Sequence, residues 1–295
     1  MKFCTYDARQ AGVVVDDKVY AVGAAMVAAG ILKEGYTMVQ VIEAMTGNPD
    51  APACVDECIR SGESTPLDQV TLRAPVDNPT SLWAAAANYM DHRKEMESRM
   101  GGGHQELPDK DDHMSQDFLK PVSSIIGPGG TVIIPKVSHD VDFECELCVV
   151  IGKTARKVTE EDALDYVFGY TICWDISQRD PWGRGKQNTR NIRKGFDTFS
   201  PQGPWIVTAD EIPEPQDLNL RAWHNGEQVM TAHTSDMICG VRDHIRFLSN
   251  VVTLRPGDLI TTGTPAGVHT LLDGDKLRGE IERVGVMELN VIAEA

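Results

Sequence analysis

The chain has 295 residues, enough for one large core with a smaller appendage or for two modest domains, and 41% of them are hydrophobic and 24% charged, values that exclude wholesale disorder. With 44 Asp and Glu against 28 Lys and Arg, the net charge of −16 excludes a nucleic-acid partner, because no block of basic residues offsets phosphate repulsion. An anionic substrate therefore needs local positive charge from a metal or from a few placed basic side chains.

The opening Met1-Lys2-Phe3-Cys4-Thr5-Tyr6-Asp7 turns polar and acidic at once, and no apolar run approaches the roughly 20 residues of a membrane span. Seven scattered cysteines fit free thiols in a reducing compartment better than a disulfide framework. The expectation is a cytoplasmic protein with neither leader nor membrane segment.

In chain order, Gly12–Val15, the acidic turn Asp16-Asp17 and Val19–Val22 predict a hairpin. A helix capped by Thr37 carries Met38, Val41, Ile42 and Met45 on one face and ends at Gly47-Asn48-Pro49. The polar stretch 61–66 and the prolines at 75 and 79 mark a linker, so residues 1–75 are expected as a small N-terminal α+β domain and 76–295 as the main one. Leu82–Ala86 reads as a strand, after which Asn88 is expected to cap a short helix holding His92 and Glu95. The polar segment 97–119 is too long for a plain connection and reads as a lid or flexible insert.

Val141–Ile151 predicts a strand; Thr159 should cap a helix with Ala163, Tyr166 and Val167 that Gly169 ends, and Tyr170–Trp174 is the next strand, running into Asp175. A helix with Val241, Ile245, Leu248 and Val252 precedes the turn 255–258, the strand Leu259–Thr262 and the Gly263-Thr264-Pro265 turn. There is no internal repeat.

Within the first of these strands stands Asp142-Phe143-Glu144-Cys145-Glu146-Leu147. Alternation along a strand puts Glu144 and Glu146 on one face about 7 Å apart, flanked by the apolar Cys148–Ile151. Two carboxylates so placed repel unless a cation lies between them or one is protonated. Asp175, at the end of the next strand, adds a third. Three carboxylates plus waters suit a hard cation such as Mg2+; an exposed strand face with solvated glutamates is the alternative, and the spacing alone leaves both open. An EF-hand is excluded, since Leu147 and Lys153 fall where its glycine and bidentate glutamate belong. The Cys145–Cys148 and Cys54–Cys58 pairs are some ninety residues apart, so buried thiols are expected rather than a zinc site.

These residues resemble the fumarylacetoacetate hydrolase superfamily, its acylpyruvate or 2,4-dioxo acid hydrolase-like branch, from about Asn78 to the end. In family order stand Asn88-Tyr89-Met90-Asp91-His92-Arg93-Lys94-Glu95, Glu144-x-Glu146-Leu147, Gly169-Tyr170 through Asp175, Arg179-Asp180, Lys194-Gly195-Phe196-Asp197, Gly203-Pro204-Trp205 and Thr262-Gly263-Thr264-Pro265-Ala266-Gly267-Val268. The resemblance implies a mixed α/β, mostly β fold with a β-sandwich or roll core, and a homodimer. It implies Mg2+, with Mn2+ or Ca2+ as alternatives, held by Glu144, Glu146 and Asp175. His92 and Glu95 become a catalytic pair on a lid helix, three residues apart and so on one face. Lys194 and Arg179 become contacts for the substrate carboxylate and developing oxyanion, with Lys194 also catalytic, and Tyr89, Gly263 and Thr264 further substrate contacts.

The implied reaction is hydrolysis of a C–C bond in a 2,4-dioxo acid: His92, assisted by Glu95, activates a water, and pyruvate or a related 2-oxo acid leaves with a second acid. Oxaloacetate-type decarboxylation and isomerisation of 2-hydroxydienedioates share the same platform, and a non-catalytic metal-binding protein is the alternative of another class. Two departures from the family bear on the substrate: Ala85-Ala86-Ala87 stands where relatives carry glycine, and Trp182 where a glutamine is common. The stretch from Gly183 to Arg193 is rich in Arg, Asn and Gln.

Overall fold

The computed structural model describes residues 1–100, 109–180 and 190–295. Trp182, most of the 183–193 stretch and residues 101–108 of the expected lid lie outside the described residues.

After three short strands come the first three helices, α1 (Val22–Ala28), α2 (Met38–Gly47) and α3 (Asp50–Ser61). The Gln40 side chain accepts from the Thr37 amide at 2.8 Å, closing the N-terminus of α2. Later come α4 (Met90–Met100), α5 (Lys110–Met114), α6 (Arg190–Arg193) and α7 (Val241–Val251).

The large sheet has the spatial order Thr65–Pro66, Lys18–Tyr20, Gln10–Val15, Lys2–Tyr6, Ser200–Thr208, Val167–Trp174, Cys145–Ile151, Leu259–Thr261, Leu82–Ala84, Phe118–Leu119. The predicted hairpin is present, with Asp16 and Asp17 both at positive φ, as the tightest turns require. The strand Lys2–Tyr6 ties the first 75 residues to the rest through antiparallel pairing with Ser200–Thr208.

A second sheet orders Glu227–His233, Asn219–His224, Lys276–Ile281, Gly285–Ala293, Thr131–Ile134. Alternation divides the central strand between two apolar layers. Cys145, Leu147, Val149 and Ile151 pack with Trp174, Ala222, Leu277 and Leu289 between the sheets, whereas Cys148 and Val150 join Met26, Val41, Ile42 and Val55 of α1–α3. The sheets approach closely at Gly279, where a Cβ would lie 2.7 Å from Cys145 Sγ and 2.8 Å from the Trp174 ring. The fold is thus the expected mixed α/β, mostly β sandwich, with a helical layer outside one face.

Three local expectations are corrected. Asn88 does not cap α4: its side chain donates to the carbonyls of Cys239 and Thr262 and accepts from the Cys239 amide, each at 2.8 Å, and Tyr89 takes the capping position with its carbonyl on Arg93 N. The helix expected after Thr159 is only a 3-10 turn, Ala163–Tyr166, because Val167 and Gly169 are drawn into the next strand. The two central strands are therefore antiparallel neighbours with no helical crossover. The long strand from Val141 breaks at Phe143-Glu144, leaving Val141–Asp142 to pair with Ser177–Gln178.

Candidate active site

Antiparallel register assembles the carboxylates. Cys145 faces Trp174 and Glu146 faces Cys173 across the ladder, and one step further the Asp175 amide donates to the Glu144 carbonyl at 2.8 Å. Glu144 and Glu146 share a face by alternation, and the strand ends bring Asp175 beside them. One oxygen from each lies within 4.8 Å of the others, and all three residues are buried. The solvated-glutamate alternative is thereby removed.

Cations surround the cluster. The Lys194 ammonium donates to Glu144 Oε2 at 2.8 Å, Asp175 Oδ2 at 2.6 Å and Ser177 Oγ at 2.6 Å. Lys120, wholly buried, donates to Asp175 Oδ1 and to the Phe199 carbonyl. The Arg179 Nε donates to both oxygens of Asp142, at 2.9 and 2.8 Å, and its terminal nitrogen reaches Glu144. Burial raises the Glu144 carboxyl, but Lys194 and Arg179 outweigh it and hold the group well below its ordinary range.

Glu146 is the exception. Oε2 accepts from the Gly263 amide at 2.7 Å, while Oε1 is buried without a hydrogen-bond partner. Burial, then repulsion from Asp175 and Glu144, pushes its carboxyl well above the ordinary range. A buried, orphaned carboxylate oxygen facing two other carboxylates is what a cation would satisfy, and an all-oxygen donor set suits a hard divalent one. The residues fit the metal. Binding a cation should therefore release a proton from Glu146 and tighten as pH rises, since only the ionised form is a ligand. Calorimetry in buffers of different ionisation enthalpy should show that proton for wild type and not for Glu146→Gln; identical proton counts in the two would refute the assignment.

The helix α4 closes over this cluster. His92 Nε2 is 3.6 Å from Glu144 Oε1, with the two side chains only 5% and 6% exposed, and His92 Nδ1 is 3.3 Å from Glu95 Oε2. Glu95 in turn accepts from the Gly267 amide at 3.2 and 3.3 Å. The start of α4 is pinned by Asn88, which also contacts His244 Nε2 at 3.2 Å; His244 Nδ1 meets Asp117 Oδ2 at 3.0 Å. Gly263 sits at φ +87°, and a Cβ there would be 2.6 Å from Asn88 Cβ, so only glycine lets the helix start and the Glu146-binding loop meet.

Beside the cluster is a cavity of about 770 Å3 lined by, among others, His92, Glu144, Arg179, Lys194 and Met96. Thus His92, Lys194 and Arg179 come together at one cavity wall. Three residues expected as substrate contacts have these surroundings: Thr264 donates its hydroxyl to the Cys145 carbonyl at 3.2 Å, the Gly263 amide donates to Glu146 of the cluster, and the Tyr89 hydroxyl is buried in the inter-sheet layer without a hydrogen-bond partner among the described residues. Sequence reasoning missed Lys120, Asp142 as the partner of Arg179, and the Asp117–His244 support. The first two left a trace: a lysine between Phe118-Leu119 and Pro121, and an acidic residue continuing the Glu144–Glu146 alternation.

The model of the family "Fumarylacetoacetate (FAA) hydrolase C-terminal" matches residues 81–292. A maleylpyruvate hydrolase of Aquipseudomonas alcaligenes is 36% identical over 296 residues, covering 99% of each chain. A human mitochondrial oxaloacetate tautomerase is 35% identical over 274 residues, 85% of this chain and 84% of that protein. Among solved structures, a maleylpyruvate hydrolase from Sphingobium sp. SYK-6, in complex with manganese(II) and pyruvate, superposes with a TM-score of 0.83 at 33% identity, covering 100% of both chains.

Proposed function

Because this chain is an enzyme of the fumarylacetoacetate hydrolase family, we propose that it cleaves a C–C bond of a 2,4-dioxo acid by metal-dependent hydrolysis, giving pyruvate or a related 2-oxo acid and a second acid. One observation carries the reading: a His–Glu pair is seated directly on a buried cluster of three carboxylates. The proposed ion is Mg2+, held by Glu144, Glu146 and Asp175, with Mn2+ or Ca2+ as alternatives. When bound, a divalent cation polarises the 2-oxo group and offsets the negative charge that bond cleavage leaves on the departing acid.

The chain's own residues do the rest. His92 receives the proton of the attacking water at Nε2, the nitrogen that faces the cluster, while Glu95 holds Nδ1 and fixes the tautomer. The Gly267 amide keeps Glu95 in place. Arg179 and Lys194 supply the positive charge that an acidic chain needs in order to admit an anion. Lys194 already bridges Glu144 and Asp175, so its ammonium places a positive charge beside the cluster, where an oxyanion would form.

The tautomerase among the relatives favours a second reading, in which His92 moves a proton between carbon and oxygen of a 2-oxo diacid without cleavage. Decarboxylation is the third outcome. Incubating 2,4-dioxo acids and oxaloacetate with the enzyme and Mg2+, with and without chelator, and reading products by NMR separates these. Pyruvate plus a second acid supports hydrolysis, and CO2 or a mass-neutral change replaces it. A homodimer, a cytoplasmic location and a division into domains 1–75 and 76–295 complete the proposal. The seven cysteines are all unpaired, which fits a reducing compartment, and no helix among the described residues is long and apolar enough to cross a membrane.

A further inference from the structure

Between the strand Leu82–Ala84 and α4 the backbone turns sharply at Ala87, whose φ is +49°. An alanine there is strained, because in the left-handed region its Cβ crowds the following carbonyl, and unaided it would relax toward negative φ. The direction of α4 depends on this turn. Tyr89 supplies the first helical carbonyl, to Arg93 N, and His92 lies within that first turn of helix.

Both sides of the turn are held by one buried pair. Before Ala87, the Ala86 amide donates to Asp117 Oδ1 at 3.2 Å. After it, Asn88 Nδ2 lies 3.2 Å from His244 Nε2, and His244 Nδ1 lies 3.0 Å from Asp117 Oδ2. The side chains of Asp117 and His244 are both buried, and neither lines the cavity. A carboxylate oxygen accepts, so His244 Nδ1 carries the proton and Nε2 turns a lone pair to the Asn88 amide. Asp117 therefore serves two donors with two acceptor oxygens, which a carboxylate has and an amide has not. The Thr262 carbonyl that Asn88 holds and the Gly263 amide that holds Glu146 belong to one planar peptide group, so a shift of Asn88 reaches the carboxylates as well as α4.

We propose that Asp117 and His244 are positioning residues that clamp the left-handed turn at Ala87 and thereby set where α4 places His92 over the carboxylates. The inference rests on the reading above in which His92 is the base, and adds to it the residues that fix its place. Neither acts on the substrate. They act through Ala86 and Asn88, the two neighbours of the strained residue.

The test reads kcat and KM for 2,4-dioxopentanoate with Mg2+ in wild type, Asp117→Asn, His244→Asn, Ala87→Gly and the double variant of Asp117→Asn with Ala87→Gly. Asp117→Asn is expected to lower kcat by roughly ten- to a hundredfold, the scale of a misplaced catalytic group, and to leave KM within about threefold. KM holds because Arg179 and Lys194 are kept in place by Asp142, Glu144 and Asp175. His244→Asn retains a donor for Asp117 but no longer reaches Asn88, and should lose kcat in the same way. Rescue is the distinguishing result. Glycine adopts positive φ without strain, so Asp117→Asn should lower kcat by no more than about threefold when Ala87→Gly is already present. An equal loss in both backgrounds makes Asp117 a support of the fold alone and overturns the clamp, as does an unchanged kcat in folded Asp117→Asn. No turnover by wild type removes the hydrolase reading instead. In that case, or where a thermal melt shows that a variant has not folded, the nitrogen shifts of 15N-histidine-labelled wild type decide. A proton on His244 Nδ1 and none on Nε2 upholds the clamp, and a proton on Nε2 overturns it.

Discussion

Asp175→Ala is expected to abolish stoichiometric binding of the divalent ion and to lower kcat by at least about a thousandfold, the equivalent of ~4 kcal/mol of lost charge stabilisation in the transition state. The size follows from its position. Asp175 closes the triad with Glu144 and Glu146, and it is also the acceptor for two buried ammonium groups, Lys120 and Lys194. Removing one partner of a buried pair leaves an uncompensated charge, which costs about 3–5 kcal/mol and exceeds what an exposed pair contributes. Loss of activity in the alanine variant alone would thus mix lost metal with lost fold. Asp175→Asn separates them: it keeps the shape and one acceptor oxygen for the lysines but is a poor ligand for a hard cation. The expected result is a folded protein, shown by its melting transition, that no longer shifts its melting temperature when Mg2+ or Mn2+ is added. Metal-dependent turnover retained in Asp175→Asn would remove the proposed metal centre.

How much of this site was legible in the sequence follows from the range of each interaction. Glu144 and Glu146 could be paired from the two-residue period of a strand, and Asp175 from its place at a strand end, because those relations are local. Their convergence depended on an antiparallel register between two strands, which no local pattern specifies. The helix expected between them was a propensity reading that lost to strand pairing at Val167 and Gly169. Asn88 shows the same limit in the other direction. Its sequence position suits a cap, yet buried carbonyls at Cys239 and Thr262 lie within reach, more than 150 residues away, and claim its amide. Lys120 went unread because a lysine in an apolar stretch is ordinarily an exposed cation, and only the fold shows the carboxylate it meets. For Arg179 the resemblance suggested a substrate contact, and the structure adds Asp142, a partner at the broken start of the same acidic strand.

His92→Ala is expected to keep the metal and lose hydrolysis, by about 10²–10⁴ in kcat, the usual contribution of a positioned general base. The pH profile gives a sharper form of the prediction. Burial lowers the His92 pKa, but the neighbouring carboxylates of Glu144 and Glu95 outweigh it and leave the imidazole above its ordinary value. A base works only in its neutral form, so the rate should rise with pH through a limb placed above about 6.5, the unperturbed histidine value. Glu95 is pulled the opposite way: burial raises its carboxyl, and the bonds from His92 and the Gly267 amide bring it below the ordinary range, so it stays ionised throughout that limb. Glu95→Gln removes a negative charge from Nδ1, and with it part of the support for the imidazolium. The acid limb should therefore move to lower pH while kcat on the plateau falls, because a weaker base takes the water's proton less readily. A merely structural role for Glu95 would change the amplitude and leave the limb where it is. An unshifted limb in Glu95→Gln, or an unchanged plateau in His92→Ala, would take the base away from α4 and return the helix to a cover over the carboxylates.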